Sequence, residues 1–184
     1  SRRSAHPADG DASDRPLQSA LPVVVDADGL NALAGTAFRG PGPFRVLTPH
    51  PGEMARLAGC TSTDIQGDRV GVARRFAAER HVVLVLKGQR TVVAFPDGRV
   101  FVNPTGTPAL ATAGSGDILT GLLAGFLAQW PDRRDAATLA AVWLHGRAGE
   151  LAAAAGHEVT VTATDLLNYL PGALHDAGRL SHAE

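Results

Sequence analysis

Three short apolar runs, each closed by a polar residue and followed by a turn or a helix, constrain this chain more than any other feature. "PVVVDADGLNALAG" holds Val23–Val25, "PGPFRVLTPHPGEMARLAG" holds a second strand, Arg45–Leu47, apolar after its arginine, and "HVVLVLKG" holds the third run. Apolar residues in continuous rather than alternating order belong to strands covered on both faces, as in a parallel sheet between helices. The stretches between them have helical rhythm. Asp28 is placed to cap a short helix. Met54 and Leu57 face inward from a second, and Asp64–Arg80 predicts one amphipathic helix through Ile65, Val72 and Phe76. "TVVAFPDGRVFVN" predicts a hairpin about a Pro-Asp-Gly turn. A Gly/Thr/Ala loop, Pro104–Gly114, leads into a helix from about Ser115 to Gln129. A long Ala/Leu helix follows over Asp135–Ala155, then a last helix capped by Thr164 and running through Leu170 or beyond. The expected class is α/β with a mostly parallel central sheet.

Such sheets bind ligands outside the carboxyl ends of their strands. Asp26 and Asp28 follow the first run, His50 and Glu53 the second, Lys87 the third, and Asn103 the hairpin. All are expected at one sheet edge, where the glycine-rich loop also arrives.

Composition narrows the chemistry by exclusion. A formal charge of -1, with no basic cluster among aromatics, gives no nucleic-acid footprint. The single cysteine, Cys60, allows no internal disulfide and fits a reducing compartment. No membrane span or signal peptide is read, so the expected location is cytoplasmic. Residues 1–19 are polar and without period, and are expected to be a disordered lead-in to a domain over 20–184. Of 17 lysines and arginines only Lys87 is a lysine. A biased genome accounts for the arginines but not for the exception.

Three motifs carry candidate chemistry. In "TAGSGDILTG", Gly114 and Gly116 let backbone N–H groups of Ala113, Gly114, Ser115 and Gly116 converge as an anion hole, with helix-terminal charge behind them. Asp117, an acid at the second helical position, could there accept a proton from an attacking hydroxyl, or merely favour the helix dipole. The stretch is neither a Walker A loop nor a dinucleotide fingerprint. In "LTPHPGE", Pro49 and Pro51 hold His50 extended beyond a strand, placed to meet a ligand or only to satisfy a turn. Glu53 could face a phosphate through magnesium and water, or only cap its helix. "LVLKGQRT" could carry a nucleotide on backbone groups and lysine charge, or be an ordinary solvated turn. His145 reads as a satisfied core polar group, Trp130 and Trp143 as core or interface, and the segment from Asp132 to Asp135 as a solvated helix start.

Taken in order, "VVVDADGLNAL", "TPHPGEMARL", "VLKGQRTVV" and "NPTGTPALATAGSGDILTGLLAGFLAQ" resemble the ADP- or ATP-dependent NAD(P)H-hydrate dehydratase family, from about Pro22 to the end. "TPHPGE" with "GSGD" downstream is specific; "GSGD" alone indicates only the wider ribokinase-like superfamily. The resemblance implies a ribokinase-like three-layer sandwich. It implies phosphorylation of the ring hydroxyl of hydrated NADH or NADPH (the S-epimer) and loss of phosphate, a metabolite-repair reaction of the lyase class. It places His50 and Asp117 at the hydrated dinucleotide, with Asp117 as catalytic base. It places Lys87, Gly88, Gln89, Arg90, Thr91 and Gly116 at the adenine nucleotide. It implies Mg2+ with ADP or ATP as co-substrate and a homo-oligomer, a tetramer; no residue is named as a direct metal ligand. Family members carry a longer stretch before the "DADGLN" strand, with a "GPGLG"-like turn. The chain is therefore expected to be the C-terminal part of a longer protein, fused to or working with an NAD(P)H-hydrate epimerase. Two other classes are carried beside this one: a ribokinase-like small-molecule kinase with a stable phosphorylated product, and a truncated, inactive nucleotide-binding domain.

Overall fold

The structure, a computed structural model, describes residues 21–38 and 44–180; the expected lead-in at 1–19 lies outside them. Five strands form one sheet in sequence order: β1 (Val23–Val25), β2 (Arg45–Leu47), β3 (Val83–Leu86), β4 (Val92–Ala94) and β5 (Val100–Val102). β1, β2 and β3 pair in parallel, while β4 is antiparallel to both β3 and β5. Four strands thus run one way and β4 alone is reversed, so the expected hairpin is present and β5 delivers Asn103 to the same sheet edge as β1–β3.

The continuous apolar runs do what such runs require. Alternate residues go to opposite faces. Leu47, Leu84, Leu86, Val92 and Ala94 pack with α1 (Asp28–Leu33), α2 (Pro51–Ala58), α3 (Ser62–Gly67) and α4 (Arg69–Arg80). Val46, Val83, Val85, Val93 and Phe95 pack with α5 (Ser115–Gln129) and α6 (Arg134–Ala155). Both faces are covered, which makes three layers. α7 (Ala163–Leu180) adds to the second side, against α6 through Leu144, Ala148 and Ala173. The two edge strands depart: in β1 Val25 is buried but Val23 and Val24 are half-buried, and in β5 Val100 is half-buried while Phe101 and Val102 are exposed. No helix among the described residues is long and apolar enough to cross a membrane.

Four boundaries differ from expectation, each for a local reason. Asp64–Arg80 is two helices, because Asp68 leaves helical geometry (φ -146°, ψ 63°) and accepts from the Gly71 amide to cap α4. Asp28 is the first residue of α1 rather than its cap; Ala27 stands at the cap position with φ 47° and no side-chain hydrogen bond. The last helix is capped not by Thr164, which lies inside it, but by Thr162, whose amide and hydroxyl bond the Asp165 carboxylate at 2.8 and 2.7 Å. Because α5 begins at Ser115 after Gly114, Asp117 is third, not second, in its helix.

Candidate active site

The carboxyl ends of β1, β2 and β3 converge on one ammonium. Lys87 Nζ, just past β3, donates to Asp26 Oδ1 at 2.9 Å and lies 3.9 Å from Glu53 Oε2. The strand ends are tied at the backbone as well: Lys87 N donates to Pro49 O at 2.8 Å, so the histidine turn and the lysine turn are held together. Asp26 is further fixed by the Ala27 amide at 2.9 Å and the Thr120 hydroxyl at 3.1 Å. Burial works to raise the Asp26 carboxyl. It is outweighed by the Lys87 hydrogen bond and charge, with the Ala27 N–H and the Thr48 hydroxyl, which together hold Asp26 below the ordinary carboxylate value.

A group held below its unfolded pKa stabilises the fold above the ordinary value, and that stabilisation is lost as pH falls through the depressed one. Acidification from about pH 6 to below the ordinary carboxylate value near 4 is therefore expected to lower the Tm of the chain more steeply than that of Asp26→Asn. Thermal melts across that range check it; parallel curves would show that Asp26 carries no such linkage.

The histidine turn is built by a reciprocal cap. His50 Nδ1 accepts from the amides of Gly52 (3.0 Å) and Glu53 (3.3 Å), and Glu53 Oε2 accepts from the His50 amide at 2.7 Å. A nitrogen that accepts two N–H groups carries no hydrogen, so the outer nitrogen, Nε2, is the donor. Pro51 at the first helical position completes the start of α2. Glu53 is therefore a cap and a neighbour of the ammonium at once, and it is buried.

Opposite them, Gly114 takes the left-handed conformation (φ 83°) that lets the chain turn into α5. Ser115 N donates to Thr112 O at a long 3.3 Å, and Asp117 N to Gly114 O at 3.1 Å. Among the described residues no backbone carbonyl accepts from the amides of Ala113, Gly114 or Gly116. The turn thus keeps N–H groups at the positive end of a helix fifteen residues long. A β-carbon built on Gly116 would lie 3.5 Å from both Lys87 Nζ and Asp26 Oδ2, so the turn stands directly over the ion pair.

A cavity of about 720 Å³ opens between these elements. His50, Lys87, Gly88, Gln89, Arg90, Thr91, Ser115 and Gly116 all line it. Its other wall is the loop from Asn103 to Ala111, pinned to α6. Asn103 Nδ2 donates to Val142 O (3.4 Å) and Thr105 O (3.0 Å), Thr105 Oγ1 to Trp143 O (2.9 Å), and Gly106 N to Glu150 Oε1 (2.8 Å). α6 admits this loop because Gly146 and Gly149 are bare: a β-carbon at 146 would overlap Thr105, and one at 149 would come within 2.6 Å of Leu110. Ala113, Gly114 and Asp117 are not part of the lining; Asp117 is exposed on the first turn of α5. Asp28 is exposed at the start of α1 and does not join the cluster.

Sequence reading left four contributors out of the site. Asp26 was grouped with the edge residues but given no role. Thr120, one turn along α5 from Gly116, reaches it. Arg69 donates to Leu86 O (3.1 Å) and Lys87 O (3.3 Å) from behind the lysine turn, and burial lowers its guanidinium pKa. His145, read as a core polar group, is buried and hydrogen-bonded, and it also lines the cavity and touches Ser115. Among the described residues no group of three or more His, Cys, Asp or Glu side chains is placed to hold a metal ion. A magnesium ion at this edge would rely on phosphate oxygens and water, a manner of binding that suits its reluctance to dehydrate.

A family model described as NAD(P)H-hydrate dehydratase matches residues 6–172. The bifunctional NAD(P)H-hydrate repair enzyme of Moorella thermoacetica is 52% identical over 161 residues, 85% of this chain and 30% of that protein. The ADP-dependent (S)-NAD(P)H-hydrate dehydratase of Bacillus subtilis is 42% identical over 161 residues, 87% of this chain and 56% of that protein. The crystal structure of the Bacillus subtilis ADP/ATP-dependent NAD(P)H-hydrate dehydratase, co-crystallized with ATP/Mg2+, superposes with a TM-score of 0.82 at 39% identity, over 89% of this chain and 57% of that one. A ribokinase-like superfamily protein from Enterococcus faecalis gives 0.68 at 30% identity, covering 83% of this chain and 52% of that one. The fold is ribokinase-like, and the chain spans between about a third and three-fifths of the length of these relatives.

Proposed function

The chain belongs to the NAD(P)H-hydrate dehydratase family, and from that premise we propose that it performs the nucleotide-dependent dehydration of the S-epimer of hydrated NADH or NADPH. One observation carries this reading. A single cavity gathers the Lys87–Thr91 stretch, the Ser115–Gly116 turn and His50, the three motif regions to which the family resemblance assigns nucleotide, phosphoryl group and substrate.

The chemistry follows from what each group can do. An adenine nucleotide lies along Lys87, Gly88, Gln89, Arg90 and Thr91, with its terminal phosphate at the open N–H groups of the α5 turn. Lys87 neutralises charge there, aimed by Asp26 and Glu53. His50, donating from Nε2, orients the hydrated ring. Asp117 accepts the proton of the ring hydroxyl as its oxygen attacks the phosphoryl group, and the nucleotide leaves one phosphate shorter. The ring nitrogen lone pair then expels the phosphate, and the neighbouring ring carbon gives up a proton, which restores the double bond. Phosphoryl transfer of this kind depends on positioning and charge neutralisation more than on a strong base. Magnesium, when bound with the nucleotide, supplies further neutralisation of the phosphate oxygens.

The test is direct. The purified chain, magnesium and hydrated NADH are mixed with ADP or ATP in separate reactions, and NADH absorbance is followed. Recovery with either nucleotide is the expected result and identifies the phosphoryl donor. Nucleotide consumption that yields a stable phosphorylated compound without NADH would assign the chain to a kinase reaction instead. No recovery and no consumption would overturn the reading for this chain.

A further inference from the structure

His145 sits on α6, thirty residues from Ser115, and spends its inner nitrogen on that one residue. Its Nε2 lies 2.9 Å from Ser115 O and 3.1 Å from Ser115 Oγ, and both residues are buried at the cavity wall. A carbonyl oxygen only accepts, so Nε2 must carry the hydrogen; the other tautomer would set two lone pairs against each other at 2.9 Å. With Nε2 protonated, the Ser115 hydroxyl has no acceptor in the ring, and its own hydrogen must point elsewhere. The same turn of α6 holds the opposite wall, since Val142 O and Trp143 O take the Asn103 and Thr105 bonds.

We propose that His145 is a positioning residue for phosphoryl transfer, holding the first turn of α5 by its carbonyl and leaving the Ser115 hydroxyl free to donate to the phosphate in the anion hole. This deepens the functional reading above and rests on its placement of the phosphate. The ring is suited to the task because it stays neutral. Burial pushes its pKa down to about 4, against the pull of the Ser115 carbonyl and helped by the nearby Lys87 charge. A permanently charged donor in that place would repel Lys87.

Two measurements on the full 184-residue chain decide it. Long-range nitrogen–proton correlation spectra are expected to show His145 as the Nε2–H tautomer, half-protonated only near pH 4. A ring carrying Nδ1–H at neutral pH, or one that titrates near the ordinary histidine value of 6.5, overturns the proposal. In a double-mutant cycle, His145→Leu is expected to lower kcat by about tenfold to a hundredfold. His145→Gln, which keeps an N–H donor, should recover most of it. Because Ser115→Ala removes the hydroxyl and keeps the carbonyl, adding His145→Leu to it should still lower kcat, by less than His145→Leu does in the unaltered chain. Losses that add, or a fall in Tm with kcat intact, would mean that His145 is only a packing residue. The cycle is repeated on magnesium-ADP affinity by calorimetry. Should the unaltered chain bind ADP without dehydrating its substrate, the functional reading fails while the coupling of His145 to Ser115 is still read. Should His145→Leu not fold, the spectra and the glutamine variant still decide.

Discussion

Asp117→Ala is expected to lower kcat for NADH recovery by roughly 10²–10⁴-fold, the usual contribution of a general base, and to leave the fold intact. The side chain is exposed, and among the described residues no hydrogen bond or ion pair uses it. A surface change of this kind alters stability by about 0.5 kcal/mol or less. The variant therefore separates catalysis from folding cleanly. Steady-state kinetics beside a urea melt check it. Unchanged turnover would remove Asp117 from the mechanism, and a large fall in the urea midpoint would show that it acts structurally.

Lys87→Met is expected to do both kinds of damage. The ammonium sits between Asp26 at 2.9 Å and Glu53 at 3.9 Å, whose carboxylates are 13% and 9% exposed. Its removal leaves two acids facing each other with no cation, at a cost of about 3 kcal/mol, the low end for breaking a buried ion pair. Loss of the charge beside the anion turn should also reduce turnover by about 10²–10³-fold. The two effects come apart in a second variant. Lys87→Met with Asp26→Asn should regain part of the lost stability and none of the activity. If the double variant were as unstable as the single one, the carboxylate repulsion would not be the cause.

These effects trace to residues whose roles were unequally legible before the fold was known. Val23–Val25, Arg45–Leu47 and the third run were readable as strands because continuous apolar order has few other uses. The residues just past them were readable as an edge because parallel topology sends every strand end the same way. Local competition was harder to read. Asp68 and Thr162 won their caps over an unbroken helix and over Thr164 through side-chain bonds that no periodicity records. Contacts across long separations were invisible. Thr120 meets Asp26 across 94 positions, Arg69 meets Leu86 O across 17, and His145 meets Ser115 across 30. Nothing in "WLHGRAGE" distinguishes a histidine that fills a core from one that bonds the Ser115 turn at the cavity wall. The same limit applied to Glu53, weighed as a residue facing a phosphate through magnesium and water or as a cap only: it is a cap, and its place 3.9 Å from the Lys87 ammonium was in neither alternative.

The bare face of α6 at Gly146 and Gly149 works as a spacer of zero thickness. The loop from Asn103 to Ala111 rests close on the helix there, so the width of the cavity depends on two side chains that do not exist. A side chain added at 146 meets the Thr105 backbone and must push the loop outward into the cavity, since α6 is buttressed from behind by the sheet and by α7, whereas one added at 149 meets only the Leu110 side chain. Alanine, then serine, then valine at 146 would form a graded series of narrower cavities within one fold. Chamber width in this protein is thus adjustable from a helix that carries none of the reacting groups proposed here.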